Sequence, residues 1–196
     1  MNRRLLAVLV AALVFVPSAG AARVHVRVEG MTRTIFGATE PTISAGDALN
    51  ALESASLSGE FYYHVQQSSF GPYVDQIGRY AAFGATGWVF KVNGKSPPVG
   101  ADQVTLQDGD TVLWYWADFS KQLGPPTLVL KRTKPNCYAA FAQDDNGVEK
   151  PAAGATLHVG LRRSVATSNG AACVGRHRGL LVRATMQDAI RSNAVA

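Results

Sequence analysis

The side chains best suited to chemistry are four histidines (His25, His64, His158, His177), two cysteines (Cys137, Cys173) and a few carboxylates. The histidines stand far apart in the chain, each in a polar-face or loop setting. Nucleophilic triads do assemble from distant positions. Here, however, no Gly-x-Ser-x-Gly elbow, His-Glu-x-x-His pair or Walker loop supplies a recognisable nucleophile, metal or phosphate setting. No catalytic residue is therefore assigned, and the expectation is a protein that is not an enzyme. Asp75, Asp108 and Asp110 are candidates for paired carboxylates, yet Asp108 and Asp110 flank Gly109 as solvated turn formers do. Asp144-Asp145-Asn146-Gly147 carries half the spacing of a calcium loop and lacks the rest, including the distal Glu. It reads as a plain turn, and no metal site is assigned.

Export sets the reading of the cysteines. Arg3-Arg4, the apolar run Leu5 to Val16 and the small residues Pro17-Ser18-Ala19-Gly20-Ala21 form a leader over 1–21, cut after Ala21. Its apolar core of 12 residues is short of the roughly 20 that span a bilayer. The mature protein is expected to be secreted or held in the cell envelope, without crossing the membrane. In that compartment Cys137 and Cys173 read as a disulfide, worth about 4 kcal/mol on chain-entropy grounds. Two isolated cysteines 36 positions apart are a weaker metal reading. Without the leader the chain has 17 basic and 14 acidic side chains. The basic groups are scattered, and Arg162-Arg163 and Arg176-His177-Arg178 fall near turns, so nucleic acid is not an expected partner.

The elements that would position these groups are mostly strands. Arg23 to Glu29 alternates, with Val24, Val26 and Val28 on one face and His25, Arg27 and Glu29 on the other, as in a strand buried on one side. Thr32 to Thr39 returns as a second strand, which Pro41 breaks. Ser44-Ala45-Gly46-Asp47 opens a helix, and Ala45, Ala48, Leu49, Leu52 and Ala55 give its apolar stripe. Gly59 to Gln67 is a strand, and Ser68 to Phe83 is the least regular stretch. Trp88 to Val92 and Thr111 to Trp116 are strands set between the turns Asn93-Gly94 and Asp108-Gly109-Asp110. In the latter strand Val112, Trp114 and Trp116 share one face, and Leu113 and Tyr115 the other. Residues 119–126 read as a linker. Beyond it, short strands and Asn-Gly turns at about ten-residue spacing indicate an antiparallel sandwich over 127–196.

Thr86-Gly87-Trp88, Val92-Asn93-Gly94-Lys95-Ser96, Gly100-Ala101-Asp102 and Asp108-Gly109-Asp110 with Trp114-Tyr115-Trp116 resemble the signature of the transcobalamin-like C-terminal domain family. The resemblance covers residues 23–118 and implies a β-grasp-like module of exported bacterial proteins, related to the β-domain that closes over cobalamin. Residues 127–196 resemble, more weakly, carboxypeptidase-regulatory-like (prealbumin-like) or bacterial immunoglobulin-like modules, through Pro151 to Ala155, Ala166-Thr167 with Asn169-Gly170, and Leu180 to Ala184.

The reading is a mainly β, α+β chain: leader 1–21, β-grasp-like domain 22–118, linker 119–126 and a disulfide-bearing sandwich 127–196. Its expected function is non-enzymatic binding or cell-envelope interaction through an aromatic β surface. The candidates are Tyr62, Tyr63, Phe70, Tyr73, Trp88, Trp114 and Trp116, some of which belong to the core. The partner would be an envelope protein, a polymer or a small ligand. The alternative is a carrier of cobalamin or a similar corrinoid, for which the helical half of the usual pocket is missing from this sequence.

Overall fold

Alternation along the first strand sets the architecture. A computed structural model describes residues 20–69, 71–120, 124–160, 162–166 and 168–196. Residues 1–19 of the expected leader, Phe70, Lys121 and the side chains of Arg162 and Arg163 lie outside the described residues. The chain is mainly β with one α-helix, an α+β fold.

Strand β1 (Ala22–Glu29) buries Val24, Val26 and Val28 completely. It pairs antiparallel with β2 (Thr34–Phe36) and β3 (Thr42–Ala45). Helix α1 (Ala48–Gly59) presents Ala48, Ala51, Leu52 and Ala55 to the same core, the i, i+3, i+4, i+7 spacing of an amphipathic helix. The capping residue is Asp47, whose Oδ1 accepts the Asn50 N–H at 2.7 Å. The expectation that Ser44 opens the helix is corrected, because Ser44 is in β3 opposite Arg23.

The irregular stretch expected over Ser68 to Phe83 is in fact ordered. β4 (Tyr63–Ser68), β5 (Gly71–Ile77) and β6 (Tyr80–Ala81) form a three-stranded sheet, with a register shift at His64/Val65. Gly71, Pro72 and Gly78 hide it in the sequence, since such residues normally punctuate rather than build strands. β7 (Thr86–Val92) and β8 (Thr111–Asp118) then pair antiparallel, and β8 runs parallel to β1. The resulting order is β2-β1-β8-β7, with α1 packed on one face. Asn93 and Gly94 both hold positive φ in the turn after β7, as Asn-Gly requires.

The second half has two four-stranded antiparallel sheets. One contains β9 (Thr127–Lys134), β10 (Cys137–Gln143), β11 (Glu149–Pro151) and β14 (Ala171–Cys173). The other contains β12 (Thr156–Val159), β13 (Arg162–Val165), β15 (Val182–Thr185) and β16 (Ala194–Val195). They enclose a second core of Leu128, Leu130, Tyr138, Leu157, Val159 and Val182, among others. Cys137 and Cys173 face each other across β10 and β14 and form the disulfide.

The polar face of β1 departs from the sequence reading. Arg27 and Glu29 are 3% and 0% exposed, because the second half packs over that face of the sheet. Glu29 accepts from Arg27 Nη1 at 3.3 Å and Arg191 Nε at 3.0 Å. Thr34 Oγ1 lies 2.9 Å from both carboxylate oxygens and accepts from Arg183 at 2.6 Å. A carboxylate removed from water is costly unless paired and hydrogen-bonded, and residues from both halves supply its partners.

Candidate functional site

The aromatic candidates separate by burial. Trp88 and Trp114 are core residues, 3% and 2% exposed. The Trp88 indole donates to the Tyr80 carbonyl at 2.8 Å and so ties β6 to β7. The Trp114 indole donates to the Ala48 carbonyl at 3.0 Å and pins the first turn of α1, while its ring stacks on Phe90 at 5.0 Å. A buried indole needs such an acceptor, so these two rings position elements rather than face outward. Trp116 is half-buried beside the core, and its Nε1 has no partner among the described residues. Tyr63 is half-buried against the same core. Tyr62 and Tyr73 reach solvent, and Phe70 lies outside the described residues.

Tyr73 lines a surface hollow of about 390 Å³ at the β4–β5 hairpin, with Gln66, Ser68, Gly71 and Pro72. None of these side chains is charged. Burial of the ring, and secondarily the Asp75 carboxylate, raise the Tyr73 pKa. The hydroxyl sits beside Gly87, where an added Cβ would come within 2.7 Å of it. Two rings that the sequence reading passed over belong to this end of the fold. Phe83, next to Ala82, is 86% exposed, and Phe119 is held near it by its N–H to the Ala85 carbonyl at 2.9 Å. The signal was present: a phenylalanine at the start of a Gly-Ala turn has no strand face on which to hide.

The face of the first sheet away from α1 carries a different site. A cleft of about 310 Å³ lies where this face meets the second half, walled by Arg27, Glu40, Lys91, Thr111, Gln143, Glu149 and neighbours. Lys91 is 1% exposed. Its ammonium donates to the Asp144 carbonyl at 2.8 Å and to Thr127 Oγ1 and the Gln143 carbonyl at 3.3 Å each. It also pairs with Asp145 at 3.3 Å. Burial lowers the Lys91 pKa, and Asp145 opposes that shift. On the same face burial pushes the Tyr115 hydroxyl far up, with Asp145 adding to it.

Among the groups considered for catalysis, His64 and Asp75 come into hydrogen-bond contact, on the β4–β5 hairpin. His25 Nδ1 lies 2.9 Å from the Glu40 carbonyl, His64 Nδ1 is 2.7 Å from Asp75, and His158 Nε2 is 2.8 Å from Thr185 Oγ1. His177 is buried with Nε2 2.8 Å from the Tyr138 hydroxyl. Asp108 and Asp110 accept the backbone N–H groups of Arg23 and Gln107. Asp144 Oδ1 accepts those of Asn146 and Val148 within the turn. Among the described residues no three His, Cys, Asp or Glu side chains converge as a metal site requires. No helix among them is long and apolar enough to cross a membrane.

Residues 45–118, from the end of β3 to the end of β8, are similar to the family described as "Domain of unknown function (DUF4430)". The match takes in α1, the hairpin sheet and both tryptophan strands. Among solved structures, one of a Ruminococcus gnavus protein proposed to bind metal is similar at 18% identity and a TM-score of 0.39. It covers 50% of this chain and 97% of its own, and a likeness that low decides nothing about the ligand. No curated protein matches the chain.

Proposed function

We propose that this is an extracytoplasmic, non-catalytic binding protein that meets its partner through the aromatic end of the first sheet system. The observation that carries this is the exposure of Tyr73 at 42%, in a hollow lined only by uncharged side chains, and of Phe83 at 86%, next in sequence to Ala82 at the Gly87 side of the Tyr73 ring. Exposed rings offer large contact area at low ordering cost, and a glutamine amide adds directional hydrogen bonding. The disulfide is compatible with export. The family resemblance of residues 23–118 supports an exported module and keeps cobalamin or a related corrinoid as the alternative ligand.

The test is binding to isolated envelope material and to cobalamin by the protein and by the double variant Tyr73→Ala/Phe83→Ala. Retention on envelope material that falls at least tenfold in the variant supports the proposal. A visible-spectrum shift with cobalamin that survives the variant replaces it with the carrier alternative. Equal retention of protein and variant, without a cobalamin signal, rules out the aromatic end.

A further inference from the structure

The cleft between the first sheet and the second half has the chemistry of a site rather than of a closed seam. Arg27 is 3% exposed and forms part of the cleft wall. Its Nε donates to Glu40 at 3.1 Å, and its Nη1 donates to Glu29 and to the Arg191 carbonyl. The remaining guanidinium nitrogen, Nη2, has no partner among the described residues. The low dielectric around a mostly buried guanidinium strengthens its pull on any anion that reaches it.

Charge points the same way. The ionic group beneath the cleft sets Arg27, Arg183 and Arg191 against Glu29 and Glu40, leaving one positive charge in excess. The other charges on the wall are already matched, Lys91 by Asp145 and Glu149 by Lys131. Glu40 and Glu149 would repel a ligand of higher negative charge. A volume of about 310 Å³ admits a molecule of a few carbons, at the lower end of ligand pockets.

We propose that this cleft binds a small molecule bearing one carboxylate, held by Nη2 of Arg27. Free carboxylates and zwitterionic amino acids share that chemistry, and Glu40, whose Oε1 accepts from Arg27, offers its other carboxylate oxygen to an ammonium group. The site lies on the opposite face of the sheet from α1, and it stands independently of the aromatic end.

The experiment titrates the disulfide-intact protein with sodium acetate, L-alanine and sodium chloride at constant ionic strength, followed by calorimetry and thermal unfolding. Arg27 itself is left in place, because it also holds Glu29 and Glu40. Two wall variants are used instead: Gln143→Glu, which adds a like charge, and Val129→Phe, which fills the space. The expected result is saturable binding of acetate or alanine absent with chloride, at least tenfold weaker in Gln143→Glu and lost in Val129→Phe. Tighter alanine binding identifies a zwitterion, and tighter acetate binding a free carboxylate. Responses to acetate and alanine no different from chloride overturn the proposal. So does binding unchanged in both variants, provided that each shows a cooperative transition in chloride.

Discussion

Nε of Arg191 lies 3.0 Å from Oε2 of Glu29, joining residues 162 positions apart across the two halves of the chain. The same arginine donates to the Gly30 and Met31 carbonyls, so it also fixes the turn after β1. Removing one partner of a buried ion pair strands the other, at about 3–5 kcal/mol. Arg191→Met is therefore expected to cost about 3 kcal/mol, since Glu29 keeps Arg27 and Thr34. Glu29→Gln with Arg191→Met should cost less than the sum of the single changes. Urea unfolding of the four proteins checks both statements.

Lys91 ties the stability of the fold to alkaline pH. Its folded pKa is lowered from the ordinary 10.5 by burial. Between those values the unfolded chain holds the proton longer, so stability rises with pH. The gain begins as pH passes the folded pKa and is complete at 10.5. Wild-type stability minus that of Lys91→Met should be flat below the folded pKa and climb toward this limit. Tyr115, pushed upward by burial, works in the other direction above pH 10, so the comparison is read below that pH. Denaturant titrations across the alkaline range supply the curve, and a flat difference would show that Lys91 titrates as an exposed lysine does.

The disulfide between β10 and β14 closes a separation of 36 residues. On chain-entropy grounds its loss should cost about 4 kcal/mol. Cys137→Ala/Cys173→Ala, or the wild type under reductant, should unfold at lower denaturant concentration by a matching amount. The two samples should agree with each other if the covalent link is the cause.

Asp47→Ala removes the acceptor for the Asn50 N–H at the start of α1. The expected cost is about 1 kcal/mol. Ser44→Ala should cost much less, since Ser44 is exposed in β3 and is not the cap. Thermal unfolding of the pair separates the two assignments.

Local patterns read well where a residue's neighbours in sequence are also its neighbours in energy. The apolar spacing of α1, the Asn93-Gly94 turn and the division of Val112, Trp114 and Trp116 from Leu113 and Tyr115 are of this kind. The candidate site was less legible. An exposed aromatic and a core aromatic look alike in a sequence, and only packing separates Tyr73 from Trp88 and Trp114. The hairpin carrying Tyr73 was hidden by the glycines and proline that shape it.

By itself the sequence determined the periodicities, the turns and the pairing chemistry available to two cysteines, because each depends on residue type and short spacing. Only the tertiary structure decided that the outward face of β1 meets the second half instead of water. Alternation says that Arg27 and Glu29 point away from one core. It carries no information on whether solvent or another sheet lies beyond, since their partners Arg183 and Arg191 come from the far end of the chain.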